Sequence, residues 1–218
     1  MRAALEPWFA LRRCPACRVR PTMRDGVCAR CRDRWLGADA RRTGVGSADL
    51  AAADLIALGA YRGDLGRLVR AAKYRPDRRL LALLGTALGH RVHEAFADAA
   101  PDCSVVPVPG DRSRLRRRGL DHALLVATAV AAALGPRALL LPELRRVRST
   151  RPQAGLSDAE RSANLHGAIA WRQGALNGAT VVLVDDVLTT GATARACRSA
   201  LTAAGAGRVV VAVAARAR

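Results

Sequence analysis

The sequence predicts an α/β protein: a parallel sheet flanked by helices, preceded by a small cysteine-rich module. Three observations carry that expectation. Residues 1–36 hold four cysteines in two CxxC pairs. From about 61 to 97, apolar residues recur at helical spacing. Beyond Cys103, short runs that are apolar throughout alternate with helical stretches, the pattern of strands covered on both faces.

The chain has 218 residues, enough for one ordinary domain and a small extra module. Half of the residues are hydrophobic but only 3% are aromatic, so the core must be built from Leu, Val and Ala. The formal charge is +18, and Lys73 is the only lysine. Such a charge attracts polyanions, nucleic acid and phosphate-rich small molecules alike. No stretch reaches the length of a membrane span. The N-terminal apolar run is broken by Glu6 and Pro7 and followed by Arg12 and Arg13, unlike a secretory signal. A cytoplasmic protein with reduced thiols is therefore expected, and the paired cysteines need a role other than disulfides.

Taken in order, Cys14, Cys17, Cys28 and Cys31 form C-x2-C-x10-C-x2-C. Four thiolates at knuckle spacing suit a tetrahedral structural zinc ion, and a closed site of four cysteines leaves no open position for chemistry. Redox pairs, or disulfides in an exported protein, are the alternatives. Residues 37–53 are rich in Gly, Ala and Arg, which puts the module at 1–45 and the main domain at 46–218. The run GDLGRLVRAAKY, 63–74, predicts a helix with Leu65, Leu68, Val69 and Ala72 on one face. A second helix, about 78–97, carries Leu81, Leu84, Leu88 and Val92, with Pro101 as its stop.

Residues 104–108 form a strand, and 121–134 a helix ended by Gly135-Pro136. Residues 138–141 and 168–171 are short strand candidates, whereas the Arg-rich stretch 142–166 shows no periodicity. Thr180–Val184 is a strong strand, 191–204 a helix closed by Gly205, and 209–215 the last strand. Cys103 and Cys197 read as buried small hydrophobes. His90, His93, His122 and His166 read as ordinary surface histidines, with a second metal site as the alternative.

In parallel sheets, ligands sit at the carboxyl ends of the strands. The loops after Val108 and Val184 are therefore the places to search. The strand 180–184 ends in Asp185-Asp186, and the loop continues through Val187, Leu188, Thr189, Thr190 and Gly191 to a helix opened by Ala192 and Thr193. Two carboxylates at a strand end are costly unless they meet cations or hydroxyls, and adjacent carboxylates can accept both hydrogen bonds of a vicinal diol. The threonines supply donors, Gly191 allows close backbone approach, and amides entering a helix N-terminus bind phosphate. A ribose 5-phosphate satisfies both ends of the segment.

The string VVLVDDVLTTGATA, 181–194, resembles the binding motif for phosphoribosyl pyrophosphate (PRPP) of type I phosphoribosyltransferases. Three further segments resemble the ComF family: Tyr61-Arg-Gly-Asp-Leu running to Lys73-Tyr74; VVPVP at 105–109 followed by RLRRRGLDHALLVA; and Arg151-Pro152-Gln153-Ala154-Gly155-Leu156 with Arg161 and Asn164. One departure is plain. Where the family carries Asn-Gln after Arg-Gly and one intervening residue, this chain has Asp121-His122.

The resemblance implies a type I phosphoribosyltransferase fold, with a hood over about 54–100 and a core over about 103–218. It implies PRPP contacts along Val184, Asp185, Asp186, Val187, Leu188, Thr189, Thr190, Gly191, Ala192 and Thr193, with Asp185 and Asp186 as catalytic candidates. Pro107, Val108 and Pro109 would cradle pyrophosphate, helped by arginines such as Arg114 and Arg118. Residues 145–164 would form a lid, with Arg151, Gln153, Arg161 and Asn164 as contacts. The implied activity is phosphoribosyl transfer from PRPP and its Mg²⁺ to an acceptor that the sequence does not name. The family is also associated with competence, that is, DNA uptake in natural transformation. That association implies a second reading: a non-catalytic binder of PRPP and single-stranded DNA working beside a helicase.

Overall fold

The computed structural model describes residues 13–19, 25–36, 54–74, 77–96, 102–110, 119–148, 160, 164–165 and 167–217. The elements are α1 (Ala29–Leu36), β1 (Leu55–Ala57), α2 (Gly63–Tyr74), α3 (Arg78–Ala95), β2 (Cys103–Pro107), α4 (His122–Leu134), β3 (Ala138–Leu140), β4 (Leu144–Arg146), β5 (Ile169–Trp171), β6 (Thr180–Leu188), α5 (Ala192–Ala203) and β7 (Arg208–Arg216).

Five strands form a parallel sheet in the order β1-β7-β6-β2-β3, and β4 and β5 form a separate antiparallel pair. The crossover after β2 leads outward to β3, while the one after β6 leads the other way to β7. The strand order therefore reverses between β2 and β6, and a crevice opens there beyond the carboxyl ends.

The predicted helices form because their apolar positions share a face. Leu81, Leu84, Leu88 and Val92 of α3 are all buried, each contributing roughly 1.5–3 kcal/mol of burial. Asp77 caps α3 by accepting from Arg79 N at 2.9 Å, and Asp121 caps α4 by accepting from Leu124 N at 3.0 Å. α2, α3 and α4 pack against the sheet face that carries Val105, Val182, Val184, Ala212 and Ala214. The opposite face, with Val106, Val181, Leu183, Val211 and Val213, is covered by α5 and by Leu144 and Ile169 of the β4–β5 pair.

Several expectations are corrected. The strand expected to end at the acidic pair runs on to Leu188, with Val187 paired to Ala215 and Leu188 to Arg216. Backbone ladder bonds do not depend on side-chain polarity, so carboxylates that find cations do not end a strand. β4 lies inside the stretch that shows no periodicity and begins the span expected as a lid; residues 149–159 of that span lie outside the described residues. β1 lies within the span expected as a hood, yet pairs with β7 in the main sheet. α3 ends at Ala95, and Pro101 lies outside the described residues.

Candidate functional site at the carboxyl edge of the sheet

The two loops singled out by sequence meet at the reversal point. Pro107 stands beside Val184 in register, and Val108 N donates to Val184 O at 2.8 Å. Arg146, at the end of β4, donates from Nε to Pro109 O at 3.1 Å and so ties that pair to the same edge. Val184, Asp185 and Asp186 follow directly on β6.

Successive strand residues point to opposite faces, and the acidic pair obeys this rule. Asp186 lies on the helix-covered face of Val182 and Val184. Its Oδ1 meets Lys73 Nζ of α2 at 2.9 Å, and its Oδ2 stands 3.7 Å from His122 Nδ1 of α4. Asp185 lies on the other side, influenced by Arg146 and close enough to Cys197 of α5 to affect its thiol. The two carboxylates therefore do not stand side by side toward one diol, as the sequence suggests. Past Asp186 the alternation slips by one: Val187 packs with Val182 and Val184, and Leu188 with Leu183.

The environments push the two groups apart. Burial alone would raise Asp186, but the His122 ring and the Lys73 ammonium beside it outweigh burial and hold the carboxyl below its ordinary value. Asp185 moves the other way. Burial, then the neighbouring Asp186 charge, push it up to about 7, against the pull of the Asp186 amide, Lys73 and Arg146. That amide, Asp186 N, donates to Asp185 Oδ1 at 2.8 Å.

Thr189, Thr190 and Gly191 make the turn into α5. Gly191 sits at φ 76°, a left-handed conformation that glycine adopts without steric cost. Among the described residues no side chain caps α5, and the contact from Ala192 N to Thr190 Oγ1 is long at 3.5 Å. The amides of the first turn are thus available to an anion. Arg195 Nη1 donates to Thr190 O at 3.0 Å and holds the turn in shape. Thr190 and Thr193 are half-buried, and Thr189 is exposed.

At the N-terminus, Cys14, Cys17, Cys28 and Cys31 bring their sulfurs within 4.8 Å of one another. Cys17 Sγ and Cys28 Sγ are 3.7 Å apart. Metal–sulfur bonds of about 2.3 Å in a tetrahedron place the sulfurs about 3.8 Å apart, so the set fits a zinc-sized ion. All four are free thiols, not disulfides. Burial pushes the Cys28 and Cys31 thiols up, a cost that a bound cation offsets by holding thiolates. Cys103 and Cys197 are buried, as expected, at 5% and 0% exposure.

Among the described residues, the structure adds three that the sequence reading did not place in the site: Lys73, His122 and Arg146. Lys73 was the chain's only lysine, a signal available from composition. His122 is corrected from surface to buried, at 6% exposure, and its Nε2 has no hydrogen-bond partner among the described residues. It is the first residue of α4. His90 and His93 are exposed, as expected. Asn164 lies before β5, where its carbonyl accepts from Arg148 Nη2 at 3.1 Å. Arg114, Arg118, Arg151, Gln153, Arg161 and His166 lie outside the described residues.

No helix among the described residues is long and apolar enough to cross a membrane. No family model matches the chain, and no curated protein matches it. Among solved structures, it is similar to the crystal structure of TT1426 from Thermus thermophilus, at 22% sequence identity over 61% of this chain and 72% of that chain, with a TM-score of 0.37.

Proposed function

We propose that the carboxyl edge of the sheet binds PRPP, together with the Mg²⁺ that its phosphates carry, and transfers the phosphoribosyl group to a nucleophilic acceptor. One observation supports this reading above the others. Strand, acidic pair, Thr-Thr-Gly turn and uncapped helix follow one another at the point where the strand order reverses. An acidic strand end suits ribose hydroxyls, and uncapped helix amides suit the 5-phosphate. The turn after β2, Pro107–Pro109, suits the pyrophosphate.

Little acid–base chemistry is required. The bond from the anomeric carbon to pyrophosphate breaks, its electron pair leaves with pyrophosphate, and the acceptor's lone pair closes on that carbon. Asp185 and Asp186 supply negative potential toward the positive charge that develops on the ribose. The cysteine cluster carries a structural zinc ion in this reading, with no part in the chemistry.

A second reading keeps PRPP binding without turnover and adds single-stranded DNA in the DNA-uptake machinery, beside a helicase. The +18 formal charge favours it. The test is to incubate the protein with PRPP, Mg²⁺ and a panel of bases and amines, and to measure pyrophosphate. Release with one acceptor class supports transfer. PRPP binding without release, together with salt-sensitive DNA binding, supports the second reading. Unchanged PRPP affinity after replacing both carboxylates, Asp185→Asn with Asp186→Asn, overturns the ribose assignment in both.

A further inference from the structure

The two carboxylates have unequal surroundings. Asp186 is held from two helices at once, by Lys73 of α2 at 2.9 Å and by His122 of α4 near its other oxygen. Both partners are largely enclosed, with side-chain exposures of 19% and 5%. A carboxylate in such a pair cannot turn to a ligand without abandoning a buried cation, and removing one partner of a buried pair leaves the other charge uncompensated. Asp185 has no cation within ion-pair distance among the described residues. Its one hydrogen bond there is from the amide of its own neighbour. The charged and titratable groups facing the pair are Lys73 from α2, the His122 ring from α4, Arg146 from β4, and each carboxylate toward the other.

We infer that Lys73 and His122 are positioning residues that lock Asp186 as a fixed anion, so that Asp185 is the carboxylate left to accept the ligand's hydroxyl. This deepens the ribose reading and rests on it. Asp186 then acts through its neighbour: its charge and its backbone amide set the state and direction of Asp185. The His122 ring presents Nδ1 to Asp186 Oδ2 at 3.7 Å, a place that the amide nitrogen of a glutamine can take.

The test measures PRPP affinity, with Mg²⁺, by calorimetry on the full chain from about pH 6 to about pH 8.5. Wild type is compared with Lys73→Met, Lys73→Arg, His122→Leu and His122→Gln, each checked for folding by thermal melting. Without its cation, the buried Asp186 takes up a proton more readily. Lys73→Met is therefore expected to lose at least about tenfold in affinity at the acid end and less at the alkaline end. Lys73→Arg stays within about threefold of wild type throughout. His122→Leu repeats the acid-weighted loss independently, and His122→Gln restores binding. A loss equal at every pH in both Lys73→Met and His122→Leu overturns the lock. A ligand-free arm follows the carboxyl carbons of ¹³C-labelled aspartate during a pH titration. The lock requires the Asp186 signal to titrate higher in Lys73→Met than in wild type, and an unmoved signal overturns it. Wild type that fails to bind PRPP overturns the ribose reading, and the titration arm then still decides the lock.

Discussion

Asp185 is a carboxyl enclosed next to a second carboxylate, and the folded state favours its proton. Its folded value is near 7, against an ordinary value of 3.8. Where a folded value is raised, stability is full below the ordinary value and is lost as pH climbs to the folded one. The loss therefore accumulates between about pH 4 and pH 7 and is complete above that. Asp186 has the opposite sign, but its window lies below its ordinary value and does not overlap. Asp185→Asn should thus melt higher relative to wild type at about pH 8 than at about pH 5; an equal offset at both pH values would contradict the burial argument. Gly191 is the second residue whose conformation decides something. A Cβ there would sit 3.1 Å from Arg195 Nη1, on a backbone at φ 76°. Gly191→Ala should cost about 1–2 kcal/mol, a few degrees of melting temperature, and, on the proposed reading, should weaken PRPP binding by displacing the arginine that holds the turn. Gly174→Ala, at ordinary φ with no atom within 4 Å, should be near neutral in the same melts. At this scale the acidic pair and the glycine were legible from the motif alone. His122 was not, because nothing in a sequence says that the first residue of α4 will face a carboxylate on β6; only its place in the Arg-Gly pattern hinted at it.

Elements differ in legibility according to length. α2 and α3 declare themselves because twelve or more residues display a helical period, α4 because a long Ala/Leu/Val run stops at Gly135-Pro136, and β2 and β7 because an apolar run has covers on both faces. β1 and β4 have three residues each, too few to show any period, and exist only because β7 and β5 offer partners. Periodicity also concealed how tightly α3 meets α4. Gly85 and Gly89, one turn apart, are buried on α3 against that helix. A Cβ on Gly85 would lie 2.5 Å from Val126 O and 2.6 Å from Ala129 Cβ, and one on Gly89 2.6 Å from Ala133 Cβ. Alanine in an exposed helix gains up to about 1 kcal/mol over glycine. Here the obstacle is backbone and a short methyl, neither of which can swing aside, so the helices must separate and forfeit contact along their length. The clash wins: Gly85→Ala should destabilise by about 1–3 kcal/mol in chemical denaturation. A variant as stable as wild type would show that α3 and α4 are less closely apposed than described.

At the scale of the molecule, the cysteine cluster shares its core with the main domain. The spacing made the four cysteines legible as a set, but not what they pack against. Cys14, Val27, Cys28, Cys31 and Trp35 pack in the same apolar cluster as Leu68, Leu80 and Leu81. Polar contacts reinforce the junction. Arg67 Nε of α2 donates to Ala16 O at 2.6 Å, and Arg34 of α1 pairs with Asp64 of α2 at 2.9 Å. Metal binding supplies folding free energy where the site does not survive unfolding, so its loss should be felt by whatever shares that core. α2 and α3 are both so placed, and α2 also carries Lys73 to Asp186. On the zinc reading, a strong chelator should therefore lower the melting temperature of the whole chain in one transition. Hydrogen exchange should quicken first in α1 and α2, before the central strands β6 and β7, which are held from both faces. On the proposed PRPP reading, affinity should fall with the loosening of α2, although none of Cys14, Cys17, Cys28 and Cys31 lies at the carboxyl edge of β6. A separate early transition that leaves α2 amides protected and PRPP affinity intact would mean that the cluster stabilises only itself.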